Sequence, residues 1–157
     1  MVFKNEDHQN QLTTFAGLDV DWYGVDLKGN IGYFTSAGHA PIPMQVSSIE
    51  ADLAKVHEFF LRMSPSYSTN IEIAPSFKLQ EVPASMRDLH VRYQKSILEM
   101  GQRGLFCFDA DPSGKPTYVR LLKPGRAMNL EELPDFPRAA LGQIALDCDF
   151  SQTESLS

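Results

Sequence analysis

Polar and apolar positions alternate with a period of two along two stretches, Asp21 to Leu27 and Ile31 to Ser36, as in strands whose side chains point to opposite faces. Lys28, Gly29 and Asn30 separate them. Gly and Asn tolerate the positive φ of a tight reversal, so a β-hairpin is expected. Alternation places Tyr23, Val25 and Leu27 on one face and Trp22, Gly24 and Asp26 on the other, while Ile31, Tyr33 and Thr35 oppose Gly32, Phe34 and Ser36 on the return strand. Both faces carry aromatics. That fits strands buried on both sides, or a sheet covered by helices on one side and by a loop or partner on the other.

The period then changes to that of a helix. Ile49, Leu53, Val56, Phe60 and Met63 recur at helical spacing, Ser47 and Glu50 have the spacing of a capping box, and Ser64 and Pro65 stop the run. A connection from Ser64 to Ser76 holds a short apolar piece, Ile71 to Ile73. A second amphipathic helix is expected from about Ser85 to Met100, with Met86, Leu89, Tyr93, Ile97 and Met100 as its stripe and Gly101 as its stop. Strand patterns return in LFCFDA and PTYVRLL, joined by a turn at Asp111 to Lys115, and predict a second hairpin. After Asn129 to Pro137 comes a final apolar run, Ala139 to Phe150, in which a strand is expected at Gln143 to Asp149. These elements predict an α+β fold: a mainly antiparallel sheet of two hairpins packed against two amphipathic helices, in one domain, 1–157, whose ends at 1–16 and 151–157 fray.

Charge narrows the function classes. The net charge is −6. Residues 1–60 hold eight acids against three bases, and residues 131–157 hold six acids against Arg138 alone. Basic residues gather only around Arg87, Arg92, Lys95 and Arg103, most of them on the outside of the second helix. Nucleic acid and anionic membranes are therefore disfavoured, and a basic protein partner is favoured. No apolar run is long enough to span a bilayer and the first residues are polar, so a soluble, cytoplasmic protein is expected. Cys107 and Cys148 lie in apolar, strand-like surroundings and are expected as reduced thiols.

Catalytic spacing is absent. Asp19, Asp21, Gly24 and Asp26 superficially resemble a calcium loop, but Tyr23 and Asn30 stand where oxygen ligands belong, so no metal is expected. His8, His57 and His90 lack metal-ligand spacing. His39, leaving the second strand after Ser36, Ala37 and Gly38, is the one histidine placed where a site could form, yet no nucleophile precedes it at a known spacing. Asp109 with Asp111, Glu131 with Glu132, and Asp147 with Asp149 read as turn or surface acids. No glycine pattern fits a nucleotide cradle, and no cofactor is expected.

The stretch WYGVDLKGNIGYFTSAGHAPIP, with the later GLFCFDA, YVRLLKP and LPDFP, resembles small bacterial immunity-type proteins of toxin and immunity systems, over about residues 20–150. The motifs carrying it are structural. What the resemblance implies is a non-catalytic cytosolic binder that neutralises a toxin by occlusion, often a basic nuclease domain. An acidic chain without catalytic motifs is compatible with that role. The partner-binding residues expected from charge at hairpin and turn positions are Asp19, Asp21, Asp26, Glu131, Glu132 and Asp135, with Trp22 as an aromatic anchor. Two alternatives remain. One is a small enzyme or ligand-binding domain with a pocket near Ser36 to Pro43, lined by Tyr33, Phe34, Ser36 and His39; the other is a homodimeric structural or regulatory protein joined through a sheet edge.

Overall fold

The computed structural model describes residues 19–78 and 84–157; His8 and the N-terminal residues expected to fray lie outside them. The first hairpin forms as expected, with β1 (Asp21–Val25) and β2 (Ile31–Thr35) antiparallel and Gly29 at φ 82° in the turn. The second joins β4 (Phe106–Ala110) to β5 (Tyr118–Pro124), and its turn is held by the Asp111 carboxylate, which accepts from the backbone and hydroxyl of Ser113. The apolar piece at Ile71–Ile73 is β3, antiparallel to β5. The sheet order is β1-β2-β4-β5-β3, and β6 (Ser155–Leu156) shares the outer edge of β5 with β3. The fold is α+β, as the sequence implies. The sheet, however, is mixed, because β2 and β4 pair in parallel.

Parallel neighbours need a crossover, and here it carries β3 and the first four α-helices. These are α1 (Met44–Ser48), α2 (Glu50–Arg62), the single turn α3 (Pro75–Lys78) and α4 (Arg87–Gln102). The expected capping box does not form: Ser47 lies inside α1 and donates to the Met44 carbonyl, and Ile49 is the residue before α2. The C-terminal end of α2 is closed from outside, where the buried Arg103 donates through Nε to the Met63 carbonyl. That removes Arg103 from any surface basic patch.

Gly101 is likewise not a stop. It sits within α4, close enough to Leu122 that a Cβ would lie 3.1 Å from that side chain. The reversal falls at Gly104, with φ 90°, where a Cβ would meet the Met128 backbone nitrogen and the Tyr67 ring at 2.8 Å. Gly104→Ala is therefore expected to lower stability by about 2 kcal/mol, from backbone strain and steric overlap together. Chemical denaturation tests this; a cost below about 0.5 kcal/mol would show that the turn relaxes freely.

Both faces of the central strands are buried, and all five residues of β2 lie inside. Tyr23 lies against Phe60 and His57 of α2 and Tyr33 against His57, and Val25 and Ile31 share one core with Leu53, Val56, Ile97 and Met100. On the opposite face Trp22, Phe34 and Phe108 stack in a row, with Tyr118 and Phe150 against it. The expected strand at Gln143 to Asp149 does not form a ladder. After α5 (Asp135–Leu141) the chain runs along the outer edge of β1, where Val25 exchanges hydrogen bonds with Ile144 and Leu146. Residues 151–157, where fraying is expected, lead into β6, and Leu156 is 1% exposed.

Candidate functional site

The parallel pairing of β2 with β4 brings together residues 74 positions apart. Thr35 and Asp109 are register partners near the carboxyl ends of the two strands, the end where ligands gather in sheets with parallel strands. The Thr35 hydroxyl donates to Asp109 Oδ1 at 2.7 Å, and the Ala110 N–H donates to the same oxygen at 2.9 Å. On β1 and β2 the Tyr33 hydroxyl donates to Asp21 Oδ2 at 2.7 Å. Asp19 accepts from the Ala37 N–H at 3.1 Å, pinning a turn in which Ala37 takes φ 50° and Gly38 φ 82°. Arg92, Tyr93 and Ser96 of α4 close the far wall of a cleft of about 470 Å³.

Asp19 and Asp21 also line a second lobe, about 450 Å³, between β1 and helices α1 and α2. Its walls are Val46, Leu53 and Ala54 with Glu50 and His57. The Tyr23 hydroxyl lies 2.6 Å from His57 Nδ1. Burial pushes Tyr23 well above its ordinary pKa, so the phenol stays protonated.

Three carboxylates thus line each cavity: Asp19, Asp21 and Asp109 the first, and Asp19, Asp21 and Glu50 the second. Among the described residues none of them has an ion-pair partner, and Arg92 is the one cation lining either lobe. Desolvation raises the pKa of Asp21, and the charges of Asp19 and Asp109 raise it further against the lowering by the Tyr33 hydrogen bond. Tyr33 and Tyr93 are raised far above the ordinary phenol value, first by burial and then by the neighbouring carboxylates. The lining acids outnumber the one lining cation, Arg92. A cation entering either cavity would relieve the repulsion and restore Asp21 toward its ordinary pKa.

The sequence-predicted residues divide. Asp19, Asp21 and Tyr33 line the cleft. Trp22 does not reach any surface: it is 0% exposed, stacked at 4.0 Å on Phe34, and its indole N–H donates to the Tyr118 hydroxyl. It is core and cannot anchor a partner. Asp26 is 5% exposed and closes the first hairpin, accepting from the backbone of Lys28, Asn30 and Phe150. Phe34 and Ser36 are also fully buried, so the expected pocket at Ser36 to Pro43 is not lined by them. His39 is exposed, with Nε2 2.9 Å from the Asp111 carbonyl, fastening its loop to the second hairpin.

Glu131, Glu132 and Asp135 are exposed but line neither lobe. Glu132 completes a capping box with Asn129 and accepts from the Tyr67 hydroxyl, while Asp135 pairs with Arg138 at 2.6 Å. The residues that sequence reasoning passed over are Glu50, His57, Tyr93 and Asp109. Only Asp109 gave a signal, as an acid within an otherwise apolar strand run.

The described residues contain no helix long and apolar enough to cross a membrane, and no group of three His, Cys, Asp or Glu placed to hold a metal ion. Cys107 and Cys148 are both free thiols, and burial pushes the Cys148 thiol up to about 12. Comparison of the chain with protein-family models, with curated proteins and with solved structures finds no match.

Proposed function

We propose that this chain is a non-catalytic binding protein that takes a lysine or arginine of a basic protein partner into the acidic cleft, and that it inhibits that partner by occlusion, as immunity-type proteins do. The observation that carries the reading is that Asp19 and Asp21 line two cavities, with Asp109 in one and Glu50 in the other, and that among the described residues none of the four is in an ion pair. Charge-assisted hydrogen bonds from a guanidinium or ammonium to such acceptors contribute roughly 1.5–3 kcal/mol each.

Neither phenol is suited to act as a general base at neutral pH. Tyr33 and Tyr93 hold their protons far above the range in which a general base works, and Thr35 already donates to Asp109. Fixed hydroxyls that orient carboxylates suit recognition instead.

Two outcomes test this. Asp19→Lys combined with Glu50→Lys is expected to weaken partner binding by about 100-fold or more, corresponding to roughly 3 kcal/mol, while leaving the circular dichroism spectrum unchanged. An unaltered affinity would remove the cleft from the interface. Affinity should also depend on pH. The raised pKa of Asp21 means that its proton must leave before a cation is fully bound, so binding should tighten as pH rises from about 4 through that raised value and level off above it. Calorimetry across that range in two buffers of different ionisation enthalpy would measure the proton released; a flat profile would contradict the coupling.

A further inference from the structure

The first cavity has an ordered floor. Asp21 is the register partner of Thr35, and Thr35 that of Asp109, so the three stand in one row across β1, β2 and β4. Register partners share a face and neighbouring strands lie about 4.8 Å apart, which sets the two acids about 10 Å from each other with Thr35 between them. The Thr35 hydroxyl and the Ala110 N–H donate to Asp109 Oδ1, and the Tyr33 hydroxyl donates to Asp21 Oδ2. An ionised carboxylate has room for about four such bonds, so both acids keep capacity for a cation placed over the row.

Arg92 changes what this row can hold. It stands on α4 one turn before Ser96, and both are exposed at the rim of the same cavity, together with Asp19, Asp21 and Ala37. A purely acidic patch takes any polycation. Here a cation over the row has a guanidinium as its neighbour within a cavity of about 470 Å³. A second cation beside the first would be repelled by Arg92, whereas a carboxylate beside it would be drawn into a charge-assisted hydrogen bond. A charge of unlike sign on the wall is one way for a site to reject one class of ligand while accepting another.

We infer that Arg92 is the selectivity residue of the first cavity, and that the partner presents there a lysine or arginine next to an acidic residue rather than a run of cations. The cation lies over the row between Asp21 and Asp109, and the neighbouring carboxylate meets Arg92. The inference rests on the proposed binding function and names the kind of segment that the cavity takes.

Nuclear magnetic resonance titration of the full chain at low salt tests it. The probes are two capped tetrapeptides, Gly-Lys-Glu-Gly and Gly-Lys-Lys-Gly, and the readout is the amide signals of Thr35, Asp109 and Ala110. The Lys–Glu peptide should move those signals in the unaltered chain. Arg92→Gln should shift the ratio of the two affinities by about tenfold toward the Lys–Lys peptide. Lys95→Gln removes an exposed cation of the same helix that lines neither cavity, and should shift the ratio by less than about twofold. An equal shift in the two variants would overturn the inference, because Arg92 would then act only through the net charge. So would a ratio that Arg92→Gln leaves unchanged; in both cases the cavity would still bind cations and the proposed function would stand. If neither peptide moved those signals in any of the three chains, the first cavity would not be a cation site, and the proposed function would fall there together with the inference.

Discussion

Truncating Phe34 to alanine is expected to cost about 4 kcal/mol of unfolding free energy, a large share of the roughly 5–15 kcal/mol available to a domain of this size. The ring is 0% exposed and lies between two others, 4.0 Å from Trp22 and 4.9 Å from Phe108, with interplanar angles of 10° and 8°. Tyr118 meets it edge-on at 5.3 Å and Phe150 at 5.9 Å. Removing the ring opens a cavity between flat surfaces fixed by the sheet on one side and by the Trp22 to Tyr118 hydrogen bond on the other, so the neighbours cannot close it. Urea denaturation would show the midpoint falling with the slope unchanged. A loss under about 1 kcal/mol would mean that the stack collapses around the gap.

The second large effect belongs to Asp26. Its two carboxylate oxygens accept four hydrogen bonds: Oδ1 from the N–H groups of Lys28 and Asn30, Oδ2 from the Asn30 amide and the Phe150 N–H. The last ties the first hairpin to the C-terminal segment across 124 residues and is buried. Asp26→Ala strands those donors, and a cost of about 3 kcal/mol is expected. Asp26→Asn keeps the shape but turns an NH₂ toward donors, so it should recover little. If Asp26 were a partner residue, both variants would alter affinity and leave the thermal midpoint in place. Thermal unfolding of the two variants, with affinity measured on whatever remains folded, separates the roles.

The local features of this fold were legible in the chain. The turns at Gly29 and Gly114, the α2 stripe, the Tyr93, Ile97 and Met100 part of the α4 stripe and the short strand at Ile71 to Ile73 all follow from spacing over fewer than about 20 residues, whereas Met86 and Leu89, expected in the same stripe, are exposed because no element packs over the start of α4 among the described residues. What was not legible depends on contacts far apart in sequence. The parallel junction of β2 with β4 has no local signature, and that junction sets Asp109 beside Thr35 and builds half of the cleft. Aromatics on both faces of β1 and β2 were visible, but not which face would be sealed by the C-terminal run; Trp22 therefore looked like an anchor when it is core. Local chemistry also misled where a tertiary contact took over its task. Ser47 and Glu50 have capping-box spacing, yet the backbone breaks at Ile49, and Arg103 rather than a local residue closes the far end of α2. Charge at hairpin and turn positions led to residues with different fates: Asp19 and Asp21 line the cavities, Asp26 is buried, Glu132 caps a turn, Asp135 pairs with Arg138, and Glu131 is exposed away from both cavities.

The most direct test of the acidic cleft as a partner site is capture of binding proteins from the native cell by the tagged full chain and by its Asp19→Lys, Glu50→Lys variant, at low and at moderate salt. The expected result is a basic protein that elutes with the unaltered chain, weakens as salt rises and is lost from the variant. A partner retained equally by both chains, or one indifferent to salt, would contradict the assignment of binding to this cleft.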